Sequence, residues 1–293
     1  MTLDTLIAEP WADYGLVDSG GGRKLEHYGR YRFIRPEPQA MWAPAAEHWD
    51  ADGEFVPGSD EDGGGKWRFD RPVPKEGWDL AWEEVRFRAQ ATPFRHLAFF
   101  PDMAPQWAWM RERLGEGSEA LNLFGYTGVG SLAMAAKGAR VTHVDASKKS
   151  VEAGKANAAL SGMTDKPVRW LVDDAAKFAA REVRRQRRYD GIILDPPKFG
   201  RGPDGETWRL ESQLPELIDA CQQLLRTDPH DRASAKGFMI ATVYAVRLSY
   251  IALDQVARQF FEGGEWEAGE MALPHAERAL VVPTAIFARW RNQ

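Results

Sequence analysis

The 293-residue chain is predicted to be an α/β protein: a parallel sheet covered by helices on both faces, preceded by a small β-rich domain. Three observations carry that expectation. From about residue 118 onward, short apolar runs alternate with segments of helical period. Residues 1–117 instead hold eight of the twelve tryptophans, in short runs punctuated by turns. Charge divides at the same place, with 14 Lys and Arg against 21 Asp and Glu in residues 1–117, and 24 against 22 in the remainder. The expected organisation is a β-rich domain over 1–90, a connecting segment over 91–117, and an α/β domain over 118–293.

In the first domain, GLVDSGGGRKLEHYGRYRFIRP (15–36) places two apolar and aromatic runs around a Gly-rich turn, a hairpin signal. DADGEFVPGSDEDGGG (50–65) is acidic and Gly-rich and is expected to be an exposed loop. WDLAWEEVRFRAQ (78–90) alternates as a strand does. In the second, ALNLF (120–124) is a strand and GVGSLAMAAKG (128–138) a helix stopped by Gly138. ARVTHVD (139–145) is a strand, and Ser147 caps a helix that Gly162 ends. VRWLV (168–172) is a strand, DAAKFAAREVRRQRR (174–188) a helix, and DGIILD (190–195) a buried strand halted by Pro196 and Pro197. A helix over 211–226, a strand over 236–244 and a helix over 249–261 follow. Two strand-like runs, about 266–273 and 279–290, close the chain.

Composition narrows the function classes. Apolar residues make up 44% and charged residues 28%, so a sizeable core can be buried. The longest near-apolar stretch, Phe238 to Val246, is far too short for a membrane span. MTLDTLIAEPWADYG lacks the basic and apolar regions of a secretory signal, so a cytoplasmic protein is expected. The single cysteine, Cys221, excludes an intrachain disulfide and a cysteine-rich metal site. The six histidines are scattered, with no i, i+4 pair of the helical zinc type, and no metal is expected. Net charge is −5, which excludes a chain-wide basic surface but not a local patch.

In such a sheet, ligands bind beyond the carboxyl ends of the strands, at the switch in strand order. The segments to weigh are therefore LFGYTGVG (123–130), VDAS (144–147), VDDA (172–175), DPPKFG (195–200) and TVY (242–244). Gly125, Gly128 and Gly130 open the first helix with G-x-x-G-x-G spacing, not the G-x-G-x-x-G of dinucleotide enzymes. They make either a simple tight turn or a backbone cradle for a carboxylate or phosphate. Asp145 ends the second strand, where a carboxylate can accept from two vicinal ribose hydroxyls. Asp173 and Asp174 end the third strand, and either can accept from an adenine amine or cap the following helix. In DPPKFG the prolines remove backbone donors, which leaves carbonyls and the Asp195 carboxylate as acceptors for a planar group carrying N–H donors. Phe199 can stack on that plane and Lys198 can approach a phosphate or base oxygen.

LNLFGYTGVGSLAMAAKGARVTHVDASKKSVEAGKANAALSG, then VDDAAKF, then YDGIILDPPKFG, resembles class I S-adenosylmethionine-dependent methyltransferases. More narrowly it is similar to the bacterial large-subunit ribosomal RNA methyltransferases that act at cytosine carbon-5 or guanine N7. The likeness covers about residues 90–245. It implies a Rossmann-like seven-stranded sheet with the last strand antiparallel, S-adenosyl-L-methionine as cofactor and RNA, ribosomal RNA in particular, as substrate. It also implies a cofactor site. Asn122, Phe124, Gly125, Tyr126, Thr127 and Gly128 would hold the methionine end, Asp145 with Ala146 and Ser147 the ribose, and Asp174 with Asp173 and Ala175 the adenine. Asp195, Pro196, Pro197, Lys198 and Phe199 would form the acceptor corner. PFRHLAFFPDMAPQW (93–107) resembles the family's stretch just before the core, where a Phe-x-Asp-x-Arg pattern contacts cofactor. Phe100 and Asp102 match, and Ala104 stands where the Arg would be.

Carbon-5 methylation of a pyrimidine needs a thiolate to add at carbon-6. The places for it here read DPPKFG and TVYAVRLS, without cysteine, and Cys221 falls mid-helix in LIDACQQLL on an apolar face. Methyl transfer to a nitrogen is the expectation, since it needs only an aligned lone pair and a proton acceptor. The arginines of REVRRQRR (181–188) are expected to be a solvated helix end, and Trp208 to lie on a loop that covers the substrate. The rival readings are a nicotinamide oxidoreductase, an RNA- or ribosome-binding factor without turnover, and a small-molecule methyltransferase.

Overall fold

In a computed structural model of the chain, residues 4–58, 64–226, 237–244 and 248–292 are described. Two compact units result. One comprises Ile7–Pro105 with Ala272–Thr284, the other Met1–Leu6, Gln106–Met271 and Ala285–Gln293. The second stretch of the β-rich unit comes from the far end of the sequence because Ala8 N–H donates to the Ala272 carbonyl and Ala276 N–H to the Leu16 carbonyl. No local pattern announces such a pairing.

β1 (Asp4–Ile7) joins the large sheet described below. The β-rich unit is built from β2 (Tyr14–Gly20), β3 (Arg23–Tyr28), β4 (Tyr31–Pro36), β5 (Gly53–Pro57), β6 (Gly65–Phe69), β7 (Trp78–Trp82) and β8 (Val85–Ala89). β2 to β6 form one five-stranded sheet in chain order and β7–β8 a separate hairpin. Gly21 and Gly22 connect β2 to β3 with φ of +57° and +76°. A two-residue turn with both φ positive matches the sheet's twist, and glycine adopts it without steric cost. The expected single hairpin over 15–36 is a three-strand meander. The supposed loop over 50–65 contains β5 and the start of β6, which pair with each other, while residues 59–63 fall outside the described residues. The core is aromatic: Tyr14, Tyr28, Phe33 and Phe87 are fully buried. Glu26 is buried among them, accepting from Arg35 Nε and Nη2 at 2.7 and 2.8 Å and from Tyr14 Oη at 2.7 Å. Burial opposes its ionisation, but Arg35 and Lys24 outweigh it and bring its pKa down to about 2.

The other unit follows the expected alternation. After α1 (Ala104–Arg111) come β9 (Glu119–Leu123), α2 (Val129–Ala136), β10 (Arg140–Asp145), α3 (Lys148–Leu160), β11 (Val168–Val172), α4 (Ala175–Arg184) and β12 (Gly191–Leu194). A small hairpin, β13 (Phe199–Arg201) and β14 (Thr207–Arg209), precedes α5 (Leu210–Leu224). β15 (Phe238–Tyr244), α6 (Tyr250–Arg258), β16 (Glu265–Pro274) and β17 (Val281–Arg291) complete it. The sheet has eight strands in the order β1-β16-β17-β15-β12-β9-β10-β11. This is the expected Rossmann-like sheet with one strand added, because the N-terminal β1 extends the β16 edge. β9 to β12 and β15 run parallel, and β17 runs antiparallel to β15. α2 packs on α3, and α5 contacts both α4 and α6.

The interior positions dictate this arrangement. β12 is buried throughout and β15 nearly so, as strands covered on both faces must be. Leu121, Ile192, Leu194, Met239 and Ala241 lie in one core with Phe178, Leu217, Ile218 and Cys221 from the helices. Ser147 and Asp174 cap α3 and α4 by accepting from Ser150 N–H and Lys177 N–H.

Candidate active site

Parallel register decides where the candidate side chains emerge. Leu123, Val144 and Leu171 are neighbours across β9, β10 and β11, and Leu194 lies beside both Leu123 and Ala241. The residues that follow, Phe124, Asp145, Asp173 and Asp195, therefore leave the sheet along one edge. The strand order changes direction between β9 and β12, which makes this edge the crevice of an open α/β sheet.

The loop from β9 to α2 curls through residues of positive φ: Phe124 at +59°, Tyr126 at +48° and Gly128 at +79°. Gly128 needs to be glycine twice over, since a Cβ there would also lie 2.8 Å from the Trp170 ring. The N-cap of α2 is Gly128, which has no side chain to occupy the first amides, and the N-terminal end of a helix favours a carboxylate. The loop is shaped from beneath by Asn122 and by three residues that sequence reasoning passed over, Ser131, His143 and Asn157. Asn122 Nδ2 donates to Ser131 Oγ at 2.9 Å, and Ser131 Oγ lies 2.9 Å from His143 Nδ1. Burial holds the His143 imidazole down to about pKa 3, so it is neutral. Asn157 Nδ2 donates to the Thr127 carbonyl at 2.9 Å. A Cβ on Gly125 would meet the His143 ring at 2.4 Å, so this glycine answers to the histidine below it. The only hint in the sequence is that His143 and Ser131 fall on the buried faces of their elements.

Asp145 closes β10 half-buried. Its Oδ2 accepts from Tyr126 N–H at 2.9 Å and its Oδ1 from Ser147 N–H at 2.8 Å. Each oxygen keeps an unused lone pair, the pair of acceptors that the two donating hydroxyls of a vicinal diol require. Burial raises its pKa, against the lowering effect of the two amides. Ala146 lies between the anchors, and Ser147 is also the cap of α3. Asp174 caps α4 through one oxygen, accepting from Lys177 N–H at 2.9 Å, which leaves the other for a ligand. Asp173 is ion-paired with Arg181 and is less available than expected. Ala175 is buried at the first turn of α4. Val172, an exposed apolar side chain at the end of β11, adjoins these acids.

The DPPKF corner follows β12. Asp195 is half-buried and Pro196 buried, while Pro197, Lys198 and Phe199 face solvent. Phe199 is 49% exposed and is not a core residue. Two corrections arise here. The Pro197 carbonyl, expected to be a free acceptor, takes a 2.7 Å hydrogen bond from Trp208 Nε1, and the Lys198 carbonyl takes one from Leu210 N–H. Trp208 does not cover substrate from a loop. It lies on β14, 3% exposed, with its ring 5.0 Å from Phe124. It thus braces the DPPKF corner against the glycine loop. Cys221 is fully buried in α5, and burial pushes its thiol pKa up, so it offers no thiolate. The arginine run is partly ion-paired: Arg181 pairs with Asp173, and Arg185 and Arg187 share Glu182.

Phe100 and Asp102 belong to the β-rich unit. The Phe100 ring lies 5.3 Å from that of His96. Asp102 is buried, its Oδ2 has no hydrogen-bond partner, and burial raises its pKa against a hydrogen bond from Thr284. No helix among the described residues is long and apolar enough to cross a membrane.

Residues 58–248 match the family model of S-adenosylmethionine-dependent methyltransferases. The chain belongs to that family. A methyltransferase of this kind from Agrobacterium tumefaciens, known from its crystal structure, is 38% identical over all of this chain and 95% of its own, with a TM-score of 0.92. The SMU.776 structure, which holds S-adenosylhomocysteine, is 17% identical over 96% of this chain and 76% of its own (TM-score 0.72) and shares the fold. Ribosomal RNA large subunit methyltransferase I of Alteromonas mediterranea is 40% identical over 84 residues, 28% of this chain and 21% of its own length. Large subunit methyltransferase K/L of Vibrio cholerae is 33% identical over 123 residues, 40% of this chain and 17% of its own. The matched segment thus spans about a fifth of these curated relatives. This methyltransferase uses S-adenosylmethionine, and the Gly-capped N-terminus of α2 and the half-used carboxylate of Asp145 suit its carboxylate and ribose.

Proposed function

We propose that this methyltransferase modifies a nucleobase nitrogen in cytoplasmic RNA, ribosomal RNA of the large subunit in particular. The observation that carries the reading is the corner after β12, where the half-buried Asp195 carboxylate is followed, four residues on, by the solvent-facing ring of Phe199. An acid and a flat apolar ring suit a base presented by its edge and face. The names of the curated relatives support RNA as the substrate.

S-adenosylmethionine, when bound, supplies an electrophilic methyl group on a sulfonium. Asp145 would accept hydrogen bonds from the two ribose hydroxyls, the first amides of α2 and the 122–128 loop would receive the methionine carboxylate, and Asp174 with Val172 would border the adenine. Asp195 accepts one N–H of the acceptor amine and so orients its lone pair. After transfer the surplus proton leaves through that hydrogen bond or to water. Phe199 stacks on the base, and Lys198 lies near its oxygen or phosphate. Carbon-5 chemistry is disfavoured because the one thiol is shut inside α5.

Mass spectrometry of nucleosides in ribosomal RNA from cells with and without the gene tests the reading. One N-methylated nucleoside should disappear and return with wild-type protein but not with Asp195→Ala. An unchanged spectrum, or loss of a C-methylated base, contradicts it. The acidic charge of residues 1–117 favours a second reading, a small-molecule acceptor, which predicts turnover with metabolite extracts freed of RNA.

A further inference from the structure

The hairpin β13–β14 begins inside the acceptor corner, and its two faces differ. Phe199 pairs with Arg209, Gly200 with Trp208 and Arg201 with Thr207. Side chains alternate across a strand, so Trp208 turns into the core while Phe199, Arg201, Thr207 and Arg209 share the outer face. All four are exposed, and the Arg209 guanidinium lies 5.6 Å from the centroid of the Phe199 ring. Neither Arg201 nor Arg209 is ion-paired with a carboxylate among the described residues. The hairpin's own acids do not quench them: Glu206 is taken by Lys177 on α4, and Asp204 sits at the tip. The Trp208–Pro197 hydrogen bond holds the base of the hairpin, and that exposed ion pair links its tip to α4.

We propose that this face is a nucleic-acid clamp, in which Arg201 and Arg209 grip phosphates flanking the target nucleotide and Arg209 backs the Phe199 ring that stacks on the target base. The inference rests on the RNA reading above and extends it to the strand beyond the target. A lone exposed phenylalanine is ordinary. A phenylalanine joined to two unquenched guanidiniums on one face, starting at the acceptor corner of a chain of net charge −5, has the composition of a single-strand binding surface. A small-molecule acceptor has no use for cations strung beyond its own pocket.

The test uses the full-length protein, saturating S-adenosylhomocysteine and a fluorescent 12-nucleotide single-stranded RNA of mixed sequence, titrated between 50 and 300 mM salt. Each phosphate contact adds about 0.7 to the slope of log affinity on log salt. Arg201→Gln/Arg209→Gln should lower the slope by about 1.4 and weaken binding at 50 mM salt by about tenfold or more. Arg201→Lys/Arg209→Lys should restore most of the slope, and S-adenosylhomocysteine affinity should be equal in all three proteins. If wild type binds and methylates RNA but the glutamine variant matches it in slope and affinity, the clamp is wrong and the RNA reading stands. Failure of the wild type to bind or methylate any RNA removes both. Equal weakening by the lysine and glutamine variants points to shape and overturns the phosphate contacts.

Discussion

Two aspartates, one in each unit, show what separates a carboxylate that builds a fold from one that is left for a ligand. Asp18, on β2, is buried and saturated. Its Oδ1 accepts from Ser19 N–H and Arg278, and its Oδ2 from Ala45 N–H, Ala46 N–H and Trp49 Nε1. Burial works to raise its pKa, but those hydrogen bonds prevail and lower it. Asp145 receives two amides only, stays half-exposed, and its pKa is raised by burial. The first spends its whole acceptor capacity on the chain that surrounds it, while the second holds capacity in reserve at the mouth of the sheet. The neighbours of Asp18 sharpen the lesson. Ser19 Oγ lies 2.6 Å from His275 Nε2, and His275 Nδ1 lies 3.8 Å from Asp18. Serine, histidine and aspartate are together, yet Ser19 is inaccessible and Trp42 Nε1 donates to it, so the trio ties down a loop and does no chemistry.

The largest effect that can break this contrast is at Asp145. Asp145→Ala should weaken S-adenosylmethionine by about a thousandfold, near 4 kcal/mol for two hydrogen bonds to a charged acceptor, in isothermal titration. Its Tm should move by no more than about 3 °C, because water can reach the two amides it leaves. Asp18→Ala should do the reverse. Five donors lose a buried partner, at a cost of about 3 kcal/mol and a fall in Tm of about 6–12 °C by calorimetry, with cofactor affinity within about twofold of wild type. Cofactor loss by Asp18→Ala without unfolding would erase the distinction.

Acid should separate the units by a smaller amount. His143 has its folded pKa depressed from 6.5 to about 3, so as pH falls below 6.5 the unfolded chain takes up a proton that the folded one refuses. The stability of the α/β unit should fall by about 2 kcal/mol between pH 6.5 and 5. Glu26 is depressed from 4.5 to about 2, so its contribution is complete above pH 4.5 and is lost only as pH drops toward 2. Hydrogen exchange at pH 7 and pH 5 should show β10 losing protection while β3 keeps it, and His143→Gln should flatten the β10 response. Least of all, Trp208→Phe keeps the ring on Phe124 but loses the hydrogen bond to Pro197, worth about 1 kcal/mol. Turnover should drop about fivefold, with S-adenosylmethionine affinity unchanged.

The alternation of the α/β unit was legible because buried strands and amphipathic helices have different periods. Strand β11 falls on VRWLV as read, and Ser147 and Asp174 cap their helices. What escaped depends on distance in sequence or on weak local signals. Strand β1 has four residues and owes its place to β16, at the other end of the chain. The segment FGRGPDGETWR has the glycine and proline content of a loop, and only the burial of Trp208 makes it a hairpin. In the site, the edge-forming motifs could be read because they follow strands, whereas Ser131, His143 and Asn157 act from other elements through the fold. Asp173 and Asp174 looked equivalent in sequence, and the partners Arg181 and Lys177 distinguish them.

A crystal structure of the protein with S-adenosylhomocysteine tests the central claim most directly. The account predicts both ribose hydroxyls within hydrogen-bond distance of the Asp145 oxygens, and the amino-acid carboxylate on the first amides of α2. A ligand seated elsewhere, with Asp145 still holding only Tyr126 and Ser147, would contradict it.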